Sequence, residues 1–338
     1  MKKTNTIKIP YRLNWCSAYM DCIEEKVITS VINKYMTFTY EPNKTKKVVV
    51  YSAELDTFYT TSLREHVARK YDWRDYVDGC IAVLAQRGFN LKVGATIYVD
   101  NDLPSGIGLG SSACFVIGII KALLDVNKIK YYYNTSDDYL DDDEIVGAAY
   151  QVEHDYLRIP CGLMDFKAVM HPQGIWLIDT SMAFLGEDEL LYQDKLDIAL
   201  INYTYNYKHN HLANMTFNRT AAEFTAYLRY RTEMESLAKK VYVFPVVRYV
   251  EAQRKYIAGL VDLFTHWNKP KYPTIICDIN LAHGNAALNE FLGTNRFSEI
   301  MGAQALGSGI GGYGFKVLDK DSHFTSSKDY NVIYCHTL

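Results

Sequence analysis

The chain has no run of about 18 apolar residues able to span a bilayer, and its opening, Met1-Lys-Lys-Thr-Asn-Thr6, has none of the apolar stretch of a secretion signal. A cytoplasmic protein without membrane association is therefore expected. Neither sign of charge predominates: 36 Lys and Arg stand against 39 Asp and Glu, a formal net charge of −3. That balance offers no general attraction to nucleic acid or to an anionic membrane, so any site for a charged ligand must be built locally. The seven cysteines, Cys16, Cys22, Cys80, Cys114, Cys161, Cys277 and Cys335, are odd in number and scattered. They contain no Cys-x-x-Cys pair for zinc or redox work and read as reduced packing residues. The acidic stretch Tyr131 to Glu144, with Asp137, Asp138, Asp141, Asp142 and Asp143, lacks the regular ligand spacing and central glycine of an EF-hand and reads as a solvated loop. His154 and the pair His209 and His211 lack the acidic or cysteine partners of a metal site. No internal repeat or low-complexity segment is present.

What remains is a globular composition, 49% hydrophobic and 22% charged. At 338 residues the chain exceeds the size at which a single core stops growing, which predicts two lobes, residues 1–185 and 186–338. The 28 tyrosines fit coding bias and decide nothing about function. Strand-like runs Lys47 to Ser52 and Ala95 to Val99 bracket a helix candidate, Asp75 to Arg87, and a further helix is expected from Glu144 to Tyr156. Beyond the boundary come a strand candidate, Asp197 to Tyr203, helical text from Phe217 to Ala238 and from Ile279 to Leu292, and a final strand, Tyr313 to Leu318. The pattern is α+β.

The most informative stretch is Leu103-Pro-Ser-Gly-Ile-Gly-Leu-Gly-Ser-Ser-Ala113, between a strand-like run and an apolar helix candidate, Cys114 to Leu124. Glycines at alternate positions let backbone N–H groups approach an anion, and Ser111 or Ser112 can cap a helix whose positive dipole end faces the same anion. A phosphate ligand is the functional reading; a purely structural strand-to-helix turn also satisfies these residues. The loop has no lysine after its last glycine, as a P-loop requires, and its glycines are not spaced as in a dinucleotide fingerprint.

The loop resembles the Pro-x-x-x-Gly-Leu-(Gly/Ser)-Ser-Ser-Ala signature of the GHMP small-molecule kinases. Further segments are similar to that superfamily in its own order: Ile9-Pro-Tyr-Arg-Leu-Asn14 with Asp21, Asp72-Trp-Arg-Asp-Tyr-Val-Asp-Gly79, and Gln151 to Asp165, which contains Pro160-Cys-Gly-Leu-Met-Asp165. Gly174 to Asp179, Leu212 to Arg219 and Gly302-Ala-Gln-Ala-Leu-Gly-Ser-Gly-Ile-Gly-Gly312 complete the set. The Pro-Cys-Gly-Leu-Met-Asp run points to the galactokinase-like branch. The resemblance implies a two-lobe fold, with an N-terminal lobe like ribosomal protein S5 and a C-terminal ferredoxin-like α/β lobe. It also implies transfer of the γ-phosphate of ATP, with Mg2+, to a monosaccharide hydroxyl, the anomeric one, by a monomer or homodimer.

Roles follow by the same resemblance. Pro104, Gly106, Gly108, Leu109, Gly110, Ser111, Ser112 and Ala113 would form the nucleotide-phosphate cradle, and Trp73 and Tyr76 would stack on the base. Ser112 and Glu153 would hold Mg2+, for which one hydroxyl and one carboxylate suffice beside phosphates and water. Asp165 would stand beside the reacting hydroxyl, with Arg12 keeping it ionised and offsetting charge on the transferred group.

The departures concern the substrate. Where galactokinases read Gly-Glu-His-x-Asp, this chain has Ser17-Ala-Tyr-Met-Asp21, so Ala18 and Tyr19 replace a Glu and a His while Asp21 is kept. Phe217 replaces a tyrosine near the sugar, Phe166 replaces a glutamine after Asp165, and Gly162 stays in the sugar-side turn. Losing polar partners changes which sugar a site accepts. The resemblance also leaves two alternatives: a GHMP kinase acting on a sugar phosphate or small alcohol, and a non-catalytic sugar and ATP sensor.

Overall fold

A computed structural model describes residues 4–15, 20–64, 68–129, 142–171, 173–181, 187–202, 246–265, 304–305, 313–318 and 331–338. The helical text at 217–238 and 279–292, most of the acidic loop, and Ala18, Tyr19, Phe217, His209 and His211 lie outside these residues.

The chain opens with β1 (Asn5–Asn14), a 3-10 turn (Met20–Ile23) and the 17-residue β2 (Val27–Asn43). β3 (Lys47–Ser52), β4 (Thr57–Ser62), α1 (Arg74–Gln86), β5 (Gly94–Asn101) and α2 (Ser111–Val126) follow. Next come α3 (Asp142–Gln151), a π-helical turn (Val152–Tyr156), α4 (Met164–Ala168), β6 (Ile175–Ile178) and β7 (Glu189–Tyr192). These seven strands make one sheet, ordered β4-β3-β5-β2-β6-β7 with β1 paired to β2. β2 organises it: β1 runs antiparallel along one edge, and β5 and β6 occupy the other edge in succession. The first part of β2, from Val27 to Ile32, is buried throughout, whereas Met36, Phe38 and Tyr40 alternate with less buried residues. The strand thus leaves a two-sided core and enters a one-sided sheet.

α2 follows from its own composition. In this helix only Ser112, Lys121 and Asp125 are not buried, and a helix that is apolar all round can only be internal. It packs on β1, β2 and β5 and against α1 and α3, so its N-terminus is held rigidly at the end of the sheet. Two sequence expectations are corrected here. The helix begins at Ser111, three residues before the expected start, and Gly110 is its N-cap with no side-chain cap bond, so neither serine caps it. The predicted helix to Tyr156 changes to π geometry at Val152.

The chain passes to a second sheet after β7. β8 (Asp197–Asn202), β9 (Gln304–Ala305), β10 (Tyr313–Val317) and β11 (Asn331–His336) make an antiparallel sheet ordered β11-β8-β10-β9. α5 (Val246–Thr265) precedes β9. The two sheets are stitched together: Trp15 meets Phe315 edge to face at 5.2 Å, Thr337 bridges Ile32, and Leu338 N–H donates to Val31. This is an α+β architecture. No helix among the described residues is long and apolar enough to cross a membrane, and the described cysteines form no disulfide.

Candidate active site

The glycine loop is seated by β1. The β1–β2 register shifts between Pro10 and Arg12, where proline has no N–H to give the ladder. Arg12 N–H instead donates to Leu109 O at 3.0 Å, Tyr11 Oη donates to Leu103 O at 3.2 Å, and Arg12 Nη1 donates to Gly108 O at 3.1 Å. Leu103, Ile107 and Leu109 are buried anchors, and Gly106, Gly108 and Gly110 between them have φ of 82°, 85° and 73°, the left-handed turns that the alternation requires. With these carbonyls drawn down onto β1, the loop delivers the chain to the α2 N-terminus, where helix N–H groups lack intrahelical acceptors. Ser111 turns inward and its Oγ accepts from Gly106 N–H at 3.2 Å, while Ser112 stays half-exposed and Ala113 is buried. Pro104 is exposed at the loop entrance.

Arg12 joins this loop to Asp165. Its Nη2 donates to Asp165 Oδ1 while Nη1 holds Gly108 O, so one guanidinium spans both elements. Arg12 is 2% exposed, but the Asp165 side chain is 29% exposed, so the carboxylate has a buried partner and an open side. Gly110 lies between them: a Cβ there would sit 3.5 Å from Arg12 and 3.6 Å from Asp165 Oδ2. A third contact brings in the opening turn. Gly162 approaches so closely that a Cβ would lie 2.5 Å from Asp21 O and 2.6 Å from its Oδ2. Arg12, the loop, Asp165, Gly162 and Asp21, separated by up to 153 residues, are thus linked through successive contacts.

Glu153 lies in the π-turn, 5% exposed. Burial, and then its charge, push the Cys80 thiol well up from its ordinary value, and Cys80 Sγ lies 3.8 Å from Val116 O, one turn after Ser112. The π-turn that carries Glu153 packs against α1 and α3. Hydroxyl and carboxylate oxygens are the hard donors Mg2+ prefers, and among the described residues no group of three acidic, His or Cys side chains is placed to hold a metal ion. A two-residue donor set fits Mg2+ held jointly with phosphates and water.

Trp73 and Tyr76 are 3% and 4% exposed and pack edge to face on Phe115 at 6.2 and 6.5 Å. Trp73 and Phe115 also line a recess with Met36, Leu55, Glu54 and Ser105, adjoining the loop. Sequence reasoning missed this recess and its polar edge. Glu54 accepts from Ser105 N–H at 2.9 Å and from Asn101 Nδ2 at 2.6 Å. Because a carboxylate only accepts, this fixes the amide orientation, and Asn101 Oδ1 is left buried with no hydrogen-bond partner. Phe166 is 1% exposed and meets Tyr150 edge to face at 6.4 Å, a core role. His154 is partly exposed, stacked on Tyr150.

Residues 75–172 match the family model described as GHMP kinases N terminal domain. The galactokinase of Pyrococcus furiosus is 26% identical over 336 residues, covering 94% of this chain and 89% of that protein. Among solved structures, Lactococcus lactis galactokinase complexed with galactose matches with a TM-score of 0.69 and 19% identity, over 94% of this chain and 86% of that one. Methanococcus jannaschii mevalonate kinase matches with a TM-score of 0.69 and 15% identity, over 99% of both chains. At such identities the structural matches carry the fold alone.

Proposed function

We propose that this chain is a kinase of the GHMP type, an ATP-dependent sugar kinase that phosphorylates a monosaccharide at its anomeric hydroxyl; the match of residues 75–172 to the GHMP kinases N terminal domain and the similarity to the Pyrococcus furiosus galactokinase support this reading. The observation that carries this reading is the buried Arg12 guanidinium, which ties the glycine loop to a partly open carboxylate. Phosphoryl transfer needs positioning and charge neutralisation rather than a covalent intermediate, and that constellation supplies both.

In the reaction, the sugar hydroxyl oxygen forms a bond to the γ-phosphorus and its proton passes to Asp165. The bond from the γ-phosphorus to the bridging oxygen breaks, and ADP leaves. Arg12 holds Asp165 in place and offsets charge on the moving group. Backbone N–H groups at the loop and the α2 N-terminus hold the phosphates. Ser112 and Glu153 would hold Mg2+, which neutralises phosphate charge when bound. The base would lie on the Trp73 side of the loop, with Tyr76 supporting that side from behind through Phe115. Asp21, backed by Gly162, grips ring hydroxyls. Ala18, Tyr19 and Phe217 make the sugar wall less polar than in galactokinases, which favours a pentose, a deoxysugar or a sugar with a larger C6 group over galactose. Residues 1–185 and 186–338 act as the two lobes, in a soluble cytoplasmic protein working as a monomer or homodimer.

The test is ADP release with ATP and magnesium against hexoses, pentoses, deoxysugars and sugar phosphates, with Asp165→Ala beside the wild type. Turnover on one sugar is expected, lost in Asp165→Ala while ATP binding persists. Turnover that survives the substitution overturns the assignment of Asp165; silence on every sugar with ATP bound overturns the sugar-kinase reading in favour of a small alcohol or a sensor.

A further inference from the structure

α4 carries Asp165 but is only five residues long, and Leu163 at its N-cap makes no side-chain cap bond. A helix that short has no stability of its own. A buried charge fixes it. Lys167 is 8% exposed, and its Nζ donates to Asp179 O and to Asp188 Oδ1, both at 2.8 Å. The same Oδ1 accepts from Asp179 N–H at 2.9 Å, and Oδ2 pairs with His171 Nε2 at 2.9 Å. The His171 ring stacks on Trp176 of β6 at 4.2 Å. One residue after Asp179, Thr180 Oγ1 donates to Glu25 O at 2.7 Å, just beyond the turn that carries Asp21. Asp188 thus ties α4 to the end of β6, and Thr180 ties that end to the segment just after the Asp21 turn.

Stability does not explain an ammonium in this place. Desolvating two charges cancels most of their attraction, and an apolar pair of similar volume holds a helix to a strand as well or better. What an ion pair with fixed partners adds is one geometry. Resting on the reading of Asp165 above, we propose that Lys167 and Asp188 are a positioning pair that sets α4, and therefore the Asp165 carboxylate, at a fixed place relative to the glycine loop and the Asp21 turn. Neither side chain touches the reacting atoms; both act through Asp165.

The test compares wild type with Lys167→Met, Lys167→Arg, Asp188→Asn and Asp165→Ala, using ATP, magnesium and the panel sugar that the wild type turns over fastest. Lys167→Met and Asp188→Asn are expected to lower kcat at least roughly tenfold, since a displacement of about 1 Å can cost 10²-fold. Their KM for ATP and their binding of a non-hydrolysable ATP analogue stay within about twofold of wild type, because the glycine loop is untouched. Lys167→Arg, which keeps the charge and both partners, recovers most of the lost kcat. Wild-type kcat in Lys167→Met overturns the proposal, as does a kcat loss matched by equal losses in analogue binding and melting temperature, which would mark a scaffold contact. If Lys167→Met does not fold, Asp188→Asn, nearly isosteric and still able to accept from Asp179, decides by the same two outcomes. Inactive Asp165→Ala beside fully active Lys167→Met refutes the positioning pair alone; active Asp165→Ala refutes the reading on which it rests.

Discussion

Arg12 shows how much of this site depends on one side chain. Its two terminal nitrogens serve different elements, Gly108 O of the loop and Oδ1 of Asp165, and its backbone N–H serves a third acceptor, Leu109 O. The planar fork can do this because its donors are rigidly separated; a lysine at the same place offers a single ammonium that reaches one partner at a time. Arg12→Lys is expected to keep the fold and the net charge while lowering kcat by roughly 10²-fold, the usual loss when a preorganised charge-stabilising donor is misplaced. Steady-state kinetics with a parallel melting curve checks this, and an unchanged kcat would separate Arg12 from the chemistry. The arginine was legible in the sequence only through its register with the glycine loop. Taken alone, an arginine in a strand reads as a surface residue, and nothing local announces the bulge that turns it inward.

Elements explain the residues that sequence reading missed. Lys167 stands in the apolar text Met164-Asp-Phe-Lys-Ala-Val-Met170, and a charge within such a run is the one local signal of a buried partner. The partner itself, Asp188, comes from a segment after β6 that no periodicity connects with α4. This corner also makes the protein sensitive to acid. Burial alone would raise the Asp188 carboxyl, but hydrogen bonds from His171 and Lys167 outweigh it and hold the group below its usual 3.8. Asp179 moves the same way through hydrogen bonds from Ser181. A carboxyl depressed in the folded state adds stability above its unfolded value and loses it as pH falls through the folded one. Melting temperature should therefore drop as pH falls below about 4, more steeply in wild type than in Asp188→Asn. Parallel acid slopes would show that Asp188 is not held low.

At the scale of the whole molecule, α2 organises everything. Its apolar faces fill the space between the sheet and α1 and α3, leaving its N-terminal turn, with Ser112 half-exposed, at the open end. Glu153 lies in a π-turn packed against α1, a geometry that recurs at functional sites. Glu153→Gln keeps the shape but removes the charge of the expected Mg2+ ligand. The concentration of magnesium giving half-maximal turnover should rise about 10- to 100-fold, read from a magnesium titration at saturating ATP; an unshifted midpoint would exclude Glu153 as a ligand. The second sheet is joined to the first through Trp15, Phe315 and the strand end at Thr337 and Leu338, so the lobes share contacts beyond a single linker.

The amino-acid sequence by itself determined the glycine loop, its neighbouring strand and apolar helix, and the ordered motifs that brought Arg12, Glu153 and Asp165 into one family pattern. These are local properties: glycine's tolerance of positive φ, hydrophobic period, and spacing along the chain. The tertiary structure alone decided the rest. It placed the helix start at Ser111 with Gly110 as its cap, because the approach of Arg12 and the turn at Gly106 set the loop's exit. It turned Ser111 inward and left Ser112 outward, packed Phe166 into the core beside Tyr150, and brought Asp188 to Lys167 and Glu54 to Asn101. Each of those pairs closes a gap of more than 20 residues, and contacts across such gaps depend on how sheets and helices stack, which no local pattern records.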